Sequence, residues 1–271
     1  MRPLTAPSGK AITLGPVHPN AGTEVAYRKR LLRLVEDMQA STLYWITAYY
    51  RANTPEMAQD ASPAKALIRL IKGLGRRWLK RFNVASQEMA EYFATAASER
   101  ADGAMRDILK RGGFTVSFQP SRSWNDVKQA VIAENVSLIK TIHAKHFSDI
   151  EQMVMRSVQQ GGDLKQLTDD LQQNFHVTRW RAAFIARDQT RKATAVITKL
   201  RQEECGIEEA IWLHSGGGAS PRPEHVKWGK ERKRYKISTG MWSEVDQCYV
   251  WPGTAINCRC VPQAIVPGYD P

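Results

Sequence analysis

The chain has 271 residues, enough for one large domain or two modest ones. Hydrophobic residues make up 42% of it, an ordinary share for a protein with a buried core. Lysine and arginine number 39 against 27 acids, a formal net charge of +12, which favours nucleic acid or an acidic protein surface as partner. Residues 1–17 lack the apolar core of a signal peptide, and no run of about 18 apolar residues occurs, so neither secretion nor a membrane span is expected. Four cysteines are too few for a disulfide scaffold. The expected setting is intracellular and reducing, where a cysteine cluster points to metal before disulfide.

Residues 1–22, rich in proline and glycine, read as an extended arm that is ordered only if something holds it. Thr23 is a candidate N-cap for a helix to about Tyr50, with Val25, Leu31, Leu32, Leu34, Val35 and Met38 at helical spacing. The aromatic cluster Tyr44, Trp45, Tyr49 and Tyr50 at its far end fits helix packing better than base stacking. Residues 51–61 read as a polar linker, and Ser62-Pro63 as the start of a second helix. That helix alternates Leu67, Ile68, Leu70 and Ile71 with Arg69, Lys72, Arg76, Arg77, Lys80 and Arg81. It is the most basic stretch of the chain, either a solvated face or a surface for DNA phosphate or an acidic protein. Gly73 and Gly75 predict a kink or break in its middle.

A third helix is expected from Ser86 to Arg111, stopped by Gly112-Gly113, followed by a short strand over Phe114, Val116 and Phe118. A further helix runs from Ser123 to about Gln160. Its His143 and His146 could ligate metal, but without a local acid or cysteine they read as solvated or capping histidines. Gly161-Gly162 breaks the chain, Asp163 caps a short helix to Phe175, and Thr178 opens another to about Glu204, stopped by Gly206. Beyond Gly206 the amphipathic helices give way to short apolar runs, glycine turns and prolines. The fold class expected is α+β: an arm over 1–22, a helical region over 23–205, and a small strand-bearing module over 206–266.

The last sixty residues hold the densest constellation. Cysteines two apart on extended backbone point the same way, so Cys258 and Cys260 can converge on one ion. Cys248 and His225 would complete a closed Cys3His set, the structural type of zinc site, with His214 as a spare ligand. Two alternatives stand beside zinc: reduced thiols packed as small hydrophobes, and a Cys248–Cys258 bridge across a hairpin. Cys205 reads as unrelated.

Four elements of the C-terminal half resemble the phage Mu F-like head morphogenesis family. They are Ile185-Ala186-Arg187-Asp188-Gln189-Thr190-Arg191, Ile211-Trp212, Arg222-Pro223-Glu224-His225, and Pro252-Gly253 through Asn257-Cys258-Arg259-Cys260. The resemblance covers roughly residues 135–266; residues 1–130 match no family pattern. It implies a non-enzymatic minor capsid protein of a tailed phage, in few copies at the portal vertex or procapsid interior. The partners it implies are the portal protein, the major capsid protein and packaged DNA. The location it implies is the virion, assembled in the bacterial host cytoplasm.

Two rivals remain at this level. An enzyme could be drawn from His225 with Glu224, or His214 with Ser215, or from a zinc-activated water. No nucleophile elbow, HExxH, P-loop or GxGxxG supports it. A sequence-nonspecific DNA-binding protein draws on the basic helix together with Arg179, Arg181, Arg187, Arg191 and Lys192.

Overall fold

The computed structural model describes residues 4, 10–57, 61–159, 164–218 and 220–268, with backbone alone for 54–57 and 61–64. Four long helices carry most of the chain: α1 (Ala21–Met57), α2 (Ala61–Arg111), α3 (Arg122–Gln159) and α4 (Leu164–Glu204). The strands are β1 (Ile12–Thr13), β2 (Glu209–Leu213), β3 (Arg234–Lys236), β4 (Met241–Ser243), β5 (Cys248–Val250) and β6 (Val261–Val266), with α5 (Pro223–Lys230) between β2 and β3. The fold class is α+β, as the change of pattern at Gly206 predicts.

Several helix limits differ from the sequence reading, each for a local reason. Asn20, not Thr23, caps α1: its Oδ1 accepts the Thr23 N–H at 2.9 Å. α1 runs past Tyr50 to Met57, so most of the expected linker is helical; residues 58–60 lie outside the described residues. α2 starts at Ala61 and is unbroken through Gly73, Gly75 and Ser86, merging the second and third predicted helices. At Gly75 packing explains this. A Cβ on Gly75 would sit 3.5 Å from the Phe147 ring, and the Gly75 carbonyl accepts a hydrogen bond from His143 Nε2 at 2.9 Å. Tertiary contacts of this kind outweigh the ~1 kcal/mol propensity cost of a glycine.

α4 is likewise continuous across Phe175 and Thr178; the Thr178 hydroxyl donates to the Asn174 carbonyl at 3.1 Å within the helix instead of capping a new one. The expected break at Gly161-Gly162 and cap at Asp163 lie outside the described residues. Residues 114–118 form no strand. The segment is irregular, with Phe114 buried and Val116 and Phe118 packed against the same core. Ser121 caps α3 by accepting the Trp124 N–H at 3.0 Å. Gly206, at φ +70°, ends α4 where the left-handed backbone suits glycine.

The chain divides into two compact units. One comprises residues 25–91 and 132–186 and is an up-down four-helix bundle. Neighbouring helices run antiparallel: Ser41 meets Trp78, Gly75 meets His143, and His146 meets Thr178. Tyr27 and Tyr50 on α1 reach Asn135 and Ser157 on α3. The core holds Leu31, Met38, Ile46, Ile71, Phe82, Ile139 and Ile150, all nearly inaccessible. His143 and His146, expected to be solvated or capping, are buried among Phe82, Phe147 and Phe175.

The other unit comprises residues 1–24, 92–131 and 187–271. Its sheet is antiparallel in the order β1-β6-β2-β3, with Ala210 opposite Ala264 and Tyr235. β4 and β5 make a separate hairpin. The N-terminal segment is held here: Ile12 pairs with Val266, and Leu14 donates to the Ala264 carbonyl at 2.9 Å. Leu14, Met105, Leu109, Phe114, Ile207, Trp212, Trp228 and Val266 share one core.

Candidate functional site

Trp212, in the middle of β2, is wholly buried and organises the site. Its ring meets those of His225, Trp228 and Tyr235 edge-on, at centroid distances of 4.8, 4.8 and 6.1 Å. α5 presents His225 and Trp228 on one face, and their rings stack at 5.4 Å. The helix can lie this close only because residue 229 is glycine; a Cβ there would fall 2.3 Å from the His214 Cβ.

The ring stacking aims His225 Nδ1 at two sulfurs, Cys258 Sγ at 3.5 Å and Cys260 Sγ at 3.8 Å. All three side chains are buried, and their candidate ligand atoms lie within 4.8 Å of one another. The hydrogen bond between the two thiols pulls Cys258 below its ordinary value, with His225 adding to the effect, and pushes Cys260 up. No disulfide joins the cysteines.

Cys248 is not part of this group. It is exposed at the start of β5, across from Ser243, so three of the four expected ligands converge and the fourth does not. Cys205 is buried in the core away from the cluster, its thiol pushed up to about 11 chiefly by burial. A cavity of roughly 380 Å³ is lined by the three clustered residues together with His214, Arg222 and Arg259.

The residues around the cluster explain its motifs. Arg222 Nη1 donates to the Ile256 carbonyl at 3.1 Å, tying α5 to the loop before Cys258. Pro223 occupies the first turn of α5, where its missing N–H costs nothing. Glu224 holds the β4–β5 turn: it accepts the Ser243 hydroxyl at 2.7 Å and the Glu244 and Val245 N–H groups at 2.9 and 3.2 Å. Gly253, at φ +85°, meets both demands of a left-handed turn and a close approach, since its Cβ would lie 3.0 Å from Ala195 on α4. Asn257, also left-handed at φ +57°, is pinned to α4: Asp188 Oδ1 accepts its N–H and Arg191 Nη1 donates to its Oδ1 at 3.3 Å. Burial, then the nearby Arg259 and Arg187, lower the Arg191 pKa, with Glu24 and Asp188 opposing.

Sequence reasoning missed the work of Glu224, Asp188 and Asn257, and it missed a buried ion cluster. Arg201 Nε and Nη2 grip Asp102 at 2.8 and 2.7 Å, and Nη1 donates to Glu204 at 2.6 Å and the Gln119 carbonyl at 3.1 Å. Arg201 is 2% exposed and lies over the Phe118 ring at 4.7 Å. Nothing in one sequence links positions 102 and 201.

Arg69, Lys72, Arg76, Arg77, Lys80 and Arg81 of α2 are all exposed. Lys72 pairs with Glu151 at 3.4 Å, and Arg81 pairs with Asp37 at 3.1 Å while covering Trp78. Arg179 and Arg181, by contrast, are engaged within the bundle by Gln39 and Thr141.

Residues 148–263 match the model of the family described as Phage Mu protein F like protein. Over that stretch the chain is similar to the phage Mu F-like proteins. The match falls within the 135–266 span of the sequence resemblance and includes each of its four elements. A Haemophilus influenzae protein named "Uncharacterized protein" is 26% identical over 254 residues, which cover 91% of this chain and 54% of that protein. The chain therefore spans about half the length of that relative. No solved structure matches.

Proposed function

We propose that this Mu F-like chain is a minor structural protein of a tailed-phage head, acting without catalysis in head morphogenesis. The observation that carries the reading is the Mu F-like match over 148–263. The geometry supports a structural role, because the motif residues hold the module together: Arg222, Glu224, Asp188 and Asn257 all tie loops to helices. No helix among the described residues is long and apolar enough to cross a membrane.

In this reading the chain sits in the virion, at the portal vertex or on the procapsid interior, with the portal and major capsid proteins as partners. The exposed basic row on α2 supplies a surface for an acidic portal face or for packaged DNA. Separating purified particles into heads and tails tests the main claim; the chain is expected in the head fraction, and recovery in tails alone would contradict it.

A second reading, a sequence-nonspecific DNA-binding protein, rests on the same basic row. Titration of random duplex DNA at two salt concentrations separates the two. Contact through these side chains predicts binding that weakens steeply with salt and that drops when Arg76, Arg77 and Lys80 are changed to glutamine. Absence of binding at low salt would remove the DNA role and leave docking to the portal.

A further inference from the structure

We propose that Cys258, Cys260 and His225 bind one zinc ion, with a fourth coordination position open to the cavity beside them. His225 Nδ1 has a single lone pair when it accepts, yet two sulfurs converge on it at 3.5 and 3.8 Å. Only one thiol at a time can donate to that nitrogen. His225 Nε2 has no hydrogen-bond partner among the described residues, so the buried ring directs its polar chemistry at the two sulfurs. A cation shared by all three groups satisfies them together.

The distances suit that ion. Zinc bonds of about 2.3 Å to sulfur and about 2.0–2.1 Å to nitrogen, at a tetrahedral angle, place a sulfur and a nitrogen ligand about 3.5–3.6 Å apart. The observed separations fall at that spacing within about 0.2–0.3 Å. Two soft thiolates and an imidazole also favour zinc over magnesium or calcium. The ring is held for this purpose by its stack on Trp228 and its edge contact with Trp212.

The fourth position follows from what lies next to the cluster. Cys248 is on the exposed hairpin and cannot close the site. All three ligands instead line the 380 Å³ cavity shared with His214, Arg222 and Arg259. Two guanidinium groups in its wall favour a small anion or a water at that position. The site is thus a three-ligand centre with an exchangeable fourth ligand, and the proposal assigns it binding and no reaction.

Elemental analysis and cobalt substitution of the full chain test this. The expected result is about one zinc per chain, and with cobalt, thiolate-to-metal bands together with the intense visible bands of a tetrahedral ion. Added imidazole or azide should shift the visible bands. Cys248→Ser should leave metal content and spectrum unchanged, whereas Cys258→Ser should abolish both. Because Cys258→Ser can also unfold the module, the wild-type cobalt spectrum decides the ligand type by itself. Less than about half a zinc per chain without chelators, or no thiolate-to-cobalt band, would overturn the metal site. Loss of metal in Cys248→Ser, or visible bands indifferent to imidazole and azide, would overturn the open position.

Discussion

Changing Asp102 to alanine is expected to destabilise the unit formed by residues 1–24, 92–131 and 187–271 by about 3 kcal/mol, near the lower end of the range for breaking a buried ion pair. The reason is what remains. Arg201 is 2% exposed and cannot turn to water, so a guanidinium that had two bonds to Asp102 keeps only Glu204 and the Gln119 carbonyl. Those two remaining acceptors hold the effect at the lower end. Replacing Arg201 with methionine and Asp102 with leucine together should recover most of the loss, since a buried pair replaced by apolar groups of similar size is often neutral. Denaturant unfolding of the full chain, followed at signals from this unit, measures both; a loss under about 1 kcal/mol for Asp102→Ala would contradict the burial argument.

The helical bundle of residues 25–91 and 132–186 should lose stability as pH falls from neutral. His146 is pushed down to about 4, first by burial and then by the charge of His143, with Asp149 acting in the opposite sense. His143 is lowered too, by burial, against its bond to the Gly75 carbonyl. A histidine lowered in the folded state is bound to fewer protons there than in the unfolded chain. Its contribution is therefore complete above the unfolded value of about 6.5 and is lost as pH falls toward 4. For His146 alone the loss is about 2 kcal/mol at pH 5 and about 3 kcal/mol close to pH 4, since the folded and unfolded chains differ by up to one bound proton over that range. Hydrogen exchange at the α3 amides, compared between the wild type and His146→Gln, isolates it from carboxylate effects. A wild type whose exchange protection varies with pH no more than the variant's would contradict it.

These two clusters show where the sequence was readable and where it was not. The change from long helices to short strands at Gly206 was visible, because the hydrophobic period and the glycine and proline content change together. Internal breaks were over-predicted. Gly75 signals weakness only when nothing packs on it, and here Phe147 and His143 pack there, while Gly73 faces open space within the same continuous helix. Phe114, Val116 and Phe118 alternate like a strand, yet alternation specifies an extended backbone and not a pairing partner.

The buried histidines could have been found from spacing, since Ile139, Ile142, His143, His146 and Ile150 fall on one helical face. In the C-terminal region, the period-two rule placed Cys258 and Cys260 together, and of the two partners expected for them the structure brings His225 alongside. Cys248 could not be assigned this way, because its side depends on the register of the β4–β5 hairpin, which puts it opposite Ser243. The Asp102–Arg201 and Asp188–Asn257 contacts join distant segments of chain, and no local pattern encodes them.

The central claim, a minor head protein, is tested most directly by a map of the assembled particle resolved around its portal vertex. A small number of copies is expected there, with the unit of residues 1–24, 92–131 and 187–271 recognisable in the density and the basic face of α2 turned toward the portal or the DNA. A particle lacking the chain, or one that carries it only in the tail, would contradict the account.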